Sequence, residues 1–239
     1  MITLHVVQTF VVVAFLLLSS TPTNAKVHLL KRHNTTQQRH TPKIINGYEP
    51  TQRYPWIASL FDTAYAPGIN QHYCGGALIA PDIVLTAAHC IGSNNNPDTS
   101  TKRVQLGSSL LPGVEDSANE EKRHILEIES TLKHPEFHVN GLIYFDYGLV
   151  QLKSDATVEP VRFYKDAQST SLISNVSVLK HMGWGQTENS SQSRSERLME
   201  VELTYLNSMD CDLTTGYAIT EQILCGSSSG QNKGVCYVR

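Results

Sequence analysis

Three kinds of residue in this chain could do chemistry. Ten histidines supply imidazoles that titrate near neutral pH. One of them, His89, stands in Leu85-Thr86-Ala87-Ala88-His89-Cys90, directly before a cysteine able to fix its position. Five cysteines follow the order Cys74, Cys90, Cys211, Cys225, Cys236, and in an oxidising compartment five cannot all pair. Bonds Cys74–Cys90 and Cys211–Cys225 would close loops of similar size, each contributing about 3 kcal/mol in the chain-entropy view, and would leave Cys236 over. Gly226-Ser227-Ser228-Ser229-Gly230 has the Gly-x-Ser-x-Gly form of a strand-to-helix turn that presents a nucleophilic serine. That turn needs an acid and a histidine downstream, and only nine residues follow Gly230, so the stretch reads as a Ser/Gly-rich loop.

The elements available to position these groups are β. Short apolar or alternating runs recur at Trp56–Leu60, Ala77–Ile79, Ile83–Thr86, Leu149–Leu152, Val176–Val178 and Val201 with Leu203, bounded by Gly, Pro, Asn and Asp. This spacing predicts a sandwich or barrel, with brief helical turns only at Ala87–Cys90 and near Ser208–Asp212. No internal repeat is evident.

With 239 residues, 40% of them hydrophobic and about 46% once glycine is counted, the chain can bury a sizeable core. Its 19 bases against 22 acids give −3, which disfavours nucleic acid as a partner. The charge is segregated. Residues 1–25 carry none, residues 26–43 carry five bases (Lys26, Lys31, Arg32, Arg39, Lys43) and no acid, and the remainder is net −8. Phe10–Leu18 is an apolar run of nine, short of the roughly 20 needed to span a bilayer and followed by small and polar residues ending at Ala25. Residues 1–25 therefore read as a signal peptide and 26–43 as a basic pro-segment with little to bury, so the mature chain is expected outside the cell and off the membrane. Sequons at Asn34, Asn175 and Asn189 agree with that route as glycosylation candidates. An exposed Lys43 before Ile44-Ile45 suits a basic-specific protease.

From Ile44 to Cys236 the chain resembles the trypsin/chymotrypsin family of serine endopeptidases. The resemblance rests on six motifs in the family's order: Ile44-Ile45-Asn46-Gly47, His72-Tyr73-Cys74-Gly75-Gly76, Leu85–Cys90, Asp146-Tyr147-Gly148-Leu149-Val150, Gly183-Trp184-Gly185, and the Cys211/Cys225/Cys236 framework. It implies an all-β fold of two six-stranded antiparallel Greek-key barrels packed together, the first over about 44–152 and the second over about 160–239, incomplete in this chain. It also implies a secreted zymogen opened by an activating protease at Lys43–Ile44, and peptide-bond hydrolysis in protein or peptide substrates by Ser-His-Asp acyl transfer, without cofactor or metal. His89 would be the general base, and Asp146 the buried carboxylate that selects its tautomer and stabilises imidazolium. The flank of Asp146 departs from the family's Asp-Ile/Val-Ala-Leu, with Tyr147 and Gly148 in the middle places.

The family pattern puts the nucleophile four residues after Cys236, one position past Arg239. Tyr237 suits the variable place, but Val238 stands where the oxyanion glycine belongs and Arg239 where the aspartate that pairs with the new Ile44 amine belongs. The nucleophilic serine is absent, so the chain as given is expected to be inactive. Cys236 lacks its downstream partner, and a second barrel cut short exposes strand edges, which predicts poor stability or aggregation. The first reading is an endopeptidase zymogen whose sequence stops early; the alternative is a secreted pseudoprotease acting as a binding or inhibitor protein, and a third is a fragment with no stable fold. Gly234, in the pocket region, replaces the acidic residue of trypsin-like members, so a plain Lys/Arg preference is not implied and an elastase-type or broad one is. Glu115, Asp116, Glu120 and Glu121 fall where some relatives bind calcium, but their spacing defines no ligand set and they read as a solvated loop.

Overall fold

The computed structural model describes residues 47–92, 98–115, 123–137, 145–162, 178–185, 195–215 and 225–228. Six antiparallel strands, β1 (Ile57–Asp62), β2 (His72–Ala80), β3 (Ile83–Thr86), β4 (Lys102–Leu106), β5 (His124–Lys133) and β6 (Gly148–Leu152), close into a barrel in the order β1-β2-β3-β6-β5-β4. Three more, β7 (Val178–Gly183), β8 (Met199–Leu206) and β9 (Cys225–Ser227), form an antiparallel sheet. The sequence-based reading of an all-β barrel architecture holds.

The barrel closes because alternate residues of every strand are apolar and point inward. Ala58, Leu60, Leu78, Val84, Val104, Leu106, Ile128, Val150 and Leu152 fill it, with Ile91 added from beyond β3. Gly76 is required where β2 meets β3, since a Cβ there would lie 2.8 Å from the Leu85 carbonyl oxygen and 2.9 Å from Val84. Closure leaves no free edge in this half.

β3 coincides with its sequence-based span, and β1, β2, β6, β7 and β8 overlap theirs; Val176 and Ser177 lie outside the described residues. The turn before Cys90 is a 3-10 helix over Ala88–Cys90. The second turn extends into a helix, α1 (Ser208–Thr215), because Asn207 caps it: the Asp210 N–H donates to Asn207 Oδ1 at 2.9 Å. β4, β5 and β9 were not foreseen. Gly226 and Ser227, read as loop, belong to β9, where they pair with Tyr205 and Thr204.

Trp184, 2% exposed, packs with Tyr54, Ile57, Leu111 and Leu198 and joins the sheet to the barrel. Its indole N–H donates to the Ser109 carbonyl at 2.8 Å, and the Leu111 N–H to the Glu196 carbonyl at 2.9 Å. Tyr48 adds a two-bond bridge to Glu200 of β8. Buried Glu200 accepts from Tyr54 Oη at 2.6 Å and Lys180 Nζ at 3.2 Å, which supplies the partners a buried carboxylate requires. Burial opposes charge on Lys180, yet the Glu200 hydrogen bond and charge outweigh it and hold the ammonium above its usual range.

His181 on β7 is buried, its Nε2 has no hydrogen-bond partner among the described residues, and burial pushes its pKa down to about 4. The neutral ring favoured by folding stabilises the sheet above the ordinary value near 6.5, and that stability disappears as pH falls from there through about 4. The loss is expected to be on the order of 3 kcal/mol. In chains 44–239, the difference in melting temperature between pH 7 and pH 4 should shrink in His181→Leu, measured by circular dichroism.

Candidate active site

The register of two strands creates the site. Thr86, last in β3, pairs with Gly148, first in β6. The residue three past Thr86 and the residue two before Gly148 therefore emerge together at one end of the barrel: His89 and Asp146. The turn carrying His89 is held on both sides. Ala88 is fully buried and Ile91 is anchored in the barrel core. Cys90 is bonded to Cys74 of β2, and the Cys90 and Ile91 N–H groups donate to Ala87 and Ala88 carbonyls, each at 3.1 Å.

Asp146 is 2% exposed, whereas the His89 side chain is 32% exposed. Asp146 Oδ1 accepts the His89 backbone N–H at 2.8 Å, and Oδ2 faces His89 Nδ1 at 2.6 Å. Both carboxylate oxygens are thus committed to one residue, fixing its backbone and its ring plane together. With the Nδ1 proton donated to the carboxylate, Nε2 becomes the basic nitrogen, at the more exposed side of the pair. A buried carboxylate oriented in this way stabilises the imidazolium that forms when Nε2 takes a proton.

The departure from the family pattern around Asp146 has a structural basis. Phe145 has φ 55, a left-handed conformation that costs a non-glycine residue about 1–2 kcal/mol. The Tyr147 N–H donates to the Phe145 carbonyl at 2.7 Å, closing a tight turn over Asp146. His134 stacks on Phe145 (centroids 4.6 Å, 12°) and leans on Tyr147 (4.6 Å, 54°). Ring pairs of this kind contribute about 0.5–1.5 kcal/mol each, enough to offset the strain. Gly148 is small by necessity, since a Cβ there would lie 2.5 Å from Ile91 Cδ1 and 2.9 Å from the Leu132 carbonyl oxygen.

Among the described residues, ligand-type atoms of Cys74, His89 and Cys90 gather within 4.8 Å. Both sulfurs are committed to the disulfide, so they offer no thiolates to a metal.

The structure brings His89 to Asp146, Cys74 to Cys90, and Cys211 of α1 to Cys225 of β9. Glu115 is exposed. Asn34, Lys43, Ile44, Asp116, Glu120, Glu121, Asn175, Asn189, Gly234 and Cys236 lie outside the described residues. Sequence reasoning missed His134 and Phe145; the available signal was the aromatic flank on both sides of Asp146.

A closed antiparallel barrel, a second sheet packed on its side, and a buried carboxylate holding an imidazole beside a disulfide together define a serine-protease scaffold. The chain belongs to the Trypsin family, which it matches over residues 44–237. It is similar to Serine protease 28 of Mus musculus, 28% identical over 209 residues that cover 81% of this chain and 71% of that protein. It is also similar to Urokinase-type plasminogen activator of Gallus gallus, 36% identical over 104 residues, 41% of this chain and 22% of that protein.

The orientation of His89 can be tested without catalysis. Nitrogen NMR of chains 44–239 at neutral pH should show the His89 proton on Nδ1. In Asp146→Asn the amide can donate to Nδ1 and the proton should move to Nε2. An unchanged tautomer would show that Asp146 does not select it.

Proposed function

We propose that this chain is the protease portion of a secreted zymogen that hydrolyses peptide bonds by Ser-His-Asp acyl transfer, with His89 as general base and Asp146 orienting it. The observation that carries this reading is the pair itself: a 2%-exposed carboxylate using both oxygens on one half-exposed histidine. Residues 1–25 act as signal peptide and 26–43 as pro-segment, and cleavage at Lys43–Ile44 by a basic-specific protease activates the chain. The charge break at Lys43 and the family match beginning at residue 44 support that division. Substrates are proteins or peptides. Gly234 in the pocket region favours small or mixed side chains over Lys and Arg.

The base needs a hydroxyl to activate, and its place is four residues after Cys236, outside these 239 residues. A second reading, a secreted pseudoprotease that binds or inhibits a partner, is favoured by Val238 and Arg239, which stand where the oxyanion glycine and its neighbouring aspartate belong. The family match ends at residue 237, just before them.

The two readings separate in one assay. The mature transcript is sequenced past the Arg239 codon, and its product, cleaved at Lys43, is compared with chains 44–239 on a mixed peptide-amide library. The enzymatic reading expects hydrolysis by the transcript's product alone, reduced about 10⁴-fold by Asp146→Asn. A transcript that ends at Arg239, with its product inert, would overturn the enzymatic reading and leave the binding one.

A further inference from the structure

We propose that His134 is a positioning residue for Asp146: its ring holds the left-handed Phe145 in place and so sets the carboxylate against His89. The inference rests on reading His89 and Asp146 as a base and its carboxylate.

Phe145 immediately precedes Asp146, and its φ of 55 decides the direction in which the chain enters the carboxylate. A phenylalanine has no side-chain group able to support that conformation, unlike asparagine, aspartate or glycine. Something outside the residue must hold it. Among the described residues, His134 stacks on it. Its ring lies parallel to the Phe145 ring at 4.6 Å and rests on Tyr147 at 4.6 Å, so it touches the residues on both sides of Asp146. The Phe145 and Tyr147 rings meet edge to face at 6.4 Å, completing a three-ring cluster.

His134 is itself fixed well enough to act as a support. Its N–H donates to the Tyr147 carbonyl at 3.1 Å, prolonging the β5–β6 pairing by one rung. Its carbonyl accepts the Phe137 N–H at 3.1 Å, and its Nδ1 accepts the Glu136 N–H at 3.2 Å. Backbone and ring are thereby locked in one arrangement. If the ring is removed, Phe145 can relax out of the left-handed region. The two hydrogen bonds from Asp146 to His89 then lose their common geometry.

The readout is solvent exchange of the His89 Nδ1 proton, measured by NMR on chains 44–239, which needs no nucleophile. His134→Ala is expected to speed exchange at least tenfold, and His134→Phe, which keeps a ring, to leave it within about twofold. The double variant His134→Ala/Phe145→Gly should return to near the native rate, because glycine adopts φ 55 without support. Should His134→Ala not fold, Phe145→Ala and Phe145→Gly carry the same test. Both remove the ring, but exchange should quicken only in alanine, which keeps the conformational cost. Unchanged exchange in His134→Ala, or equal exchange in Phe145→Ala and Phe145→Gly, overturns the proposal. Slow exchange in the native chain with no hydrolysis by any longer product would strike the catalytic reading and leave this one standing.

Discussion

The site depends on one pairing, Thr86 of β3 opposite Gly148 of β6. Side chains in a sheet alternate between faces, so a slip of one residue would turn Val84 and Val150 out of the core and separate His89 from Asp146. The barrel prevents that slip. Both strands have a second partner, β2 for β3 and β5 for β6, and the ring is closed by β1 and β4. The apolar residues that fill the barrel thus also set the distance between an imidazole and a carboxylate that are 57 residues apart.

On this frame, the charged groups of the site follow ordinary rules for burial. Asp146 is taken out of water and supplied with two donors from His89. Glu200 is buried as deeply and receives Tyr54 and Lys180, while its backbone pairs with Tyr48. Each carboxylate joins stretches of chain remote in sequence, and each would be costly to leave unpaired. Asp146 joins the ends of β3 and β6, whereas Glu200 ties the second sheet to Tyr48 and Tyr54, in the stretch that follows the Ile44–Gly47 motif.

Much of this was legible in the residues, and the failures have physical causes. β3 and β6 are short, apolar and bounded by turns, so their pattern is direct. β4 reads Lys-Arg-Val-Gln-Leu, with only Val104 and Leu106 apolar on the inward face and a buried Gln105 between them on the other, its amide donating to the Leu110 carbonyl at 2.7 Å, which is too little apolar pattern to mark a strand. β5 has apolar residues turned outward, with Ile125 56% and Leu132 62% exposed, which blurs its alternation. β9 is a cysteine followed by glycine and serine, composition that suits a loop until β8 provides a partner. At the site, His89 was identifiable from its neighbours and Asp146 from motif order. The left-handed Phe145 was not, because nothing in phenylalanine favours that conformation and the ring that supports it lies 11 residues earlier in the chain.

The central claim is that this barrel holds His89 and Asp146 in order to serve a serine. It is tested most directly by labelling the protein isolated from its native source with a fluorophosphonate probe and mapping the modified peptide by mass spectrometry. The account predicts one labelled serine, four residues after Cys236, with labelling abolished by His89→Ala in the recombinant form. A native protein that takes up no label and whose last peptide ends at Arg239 would contradict it.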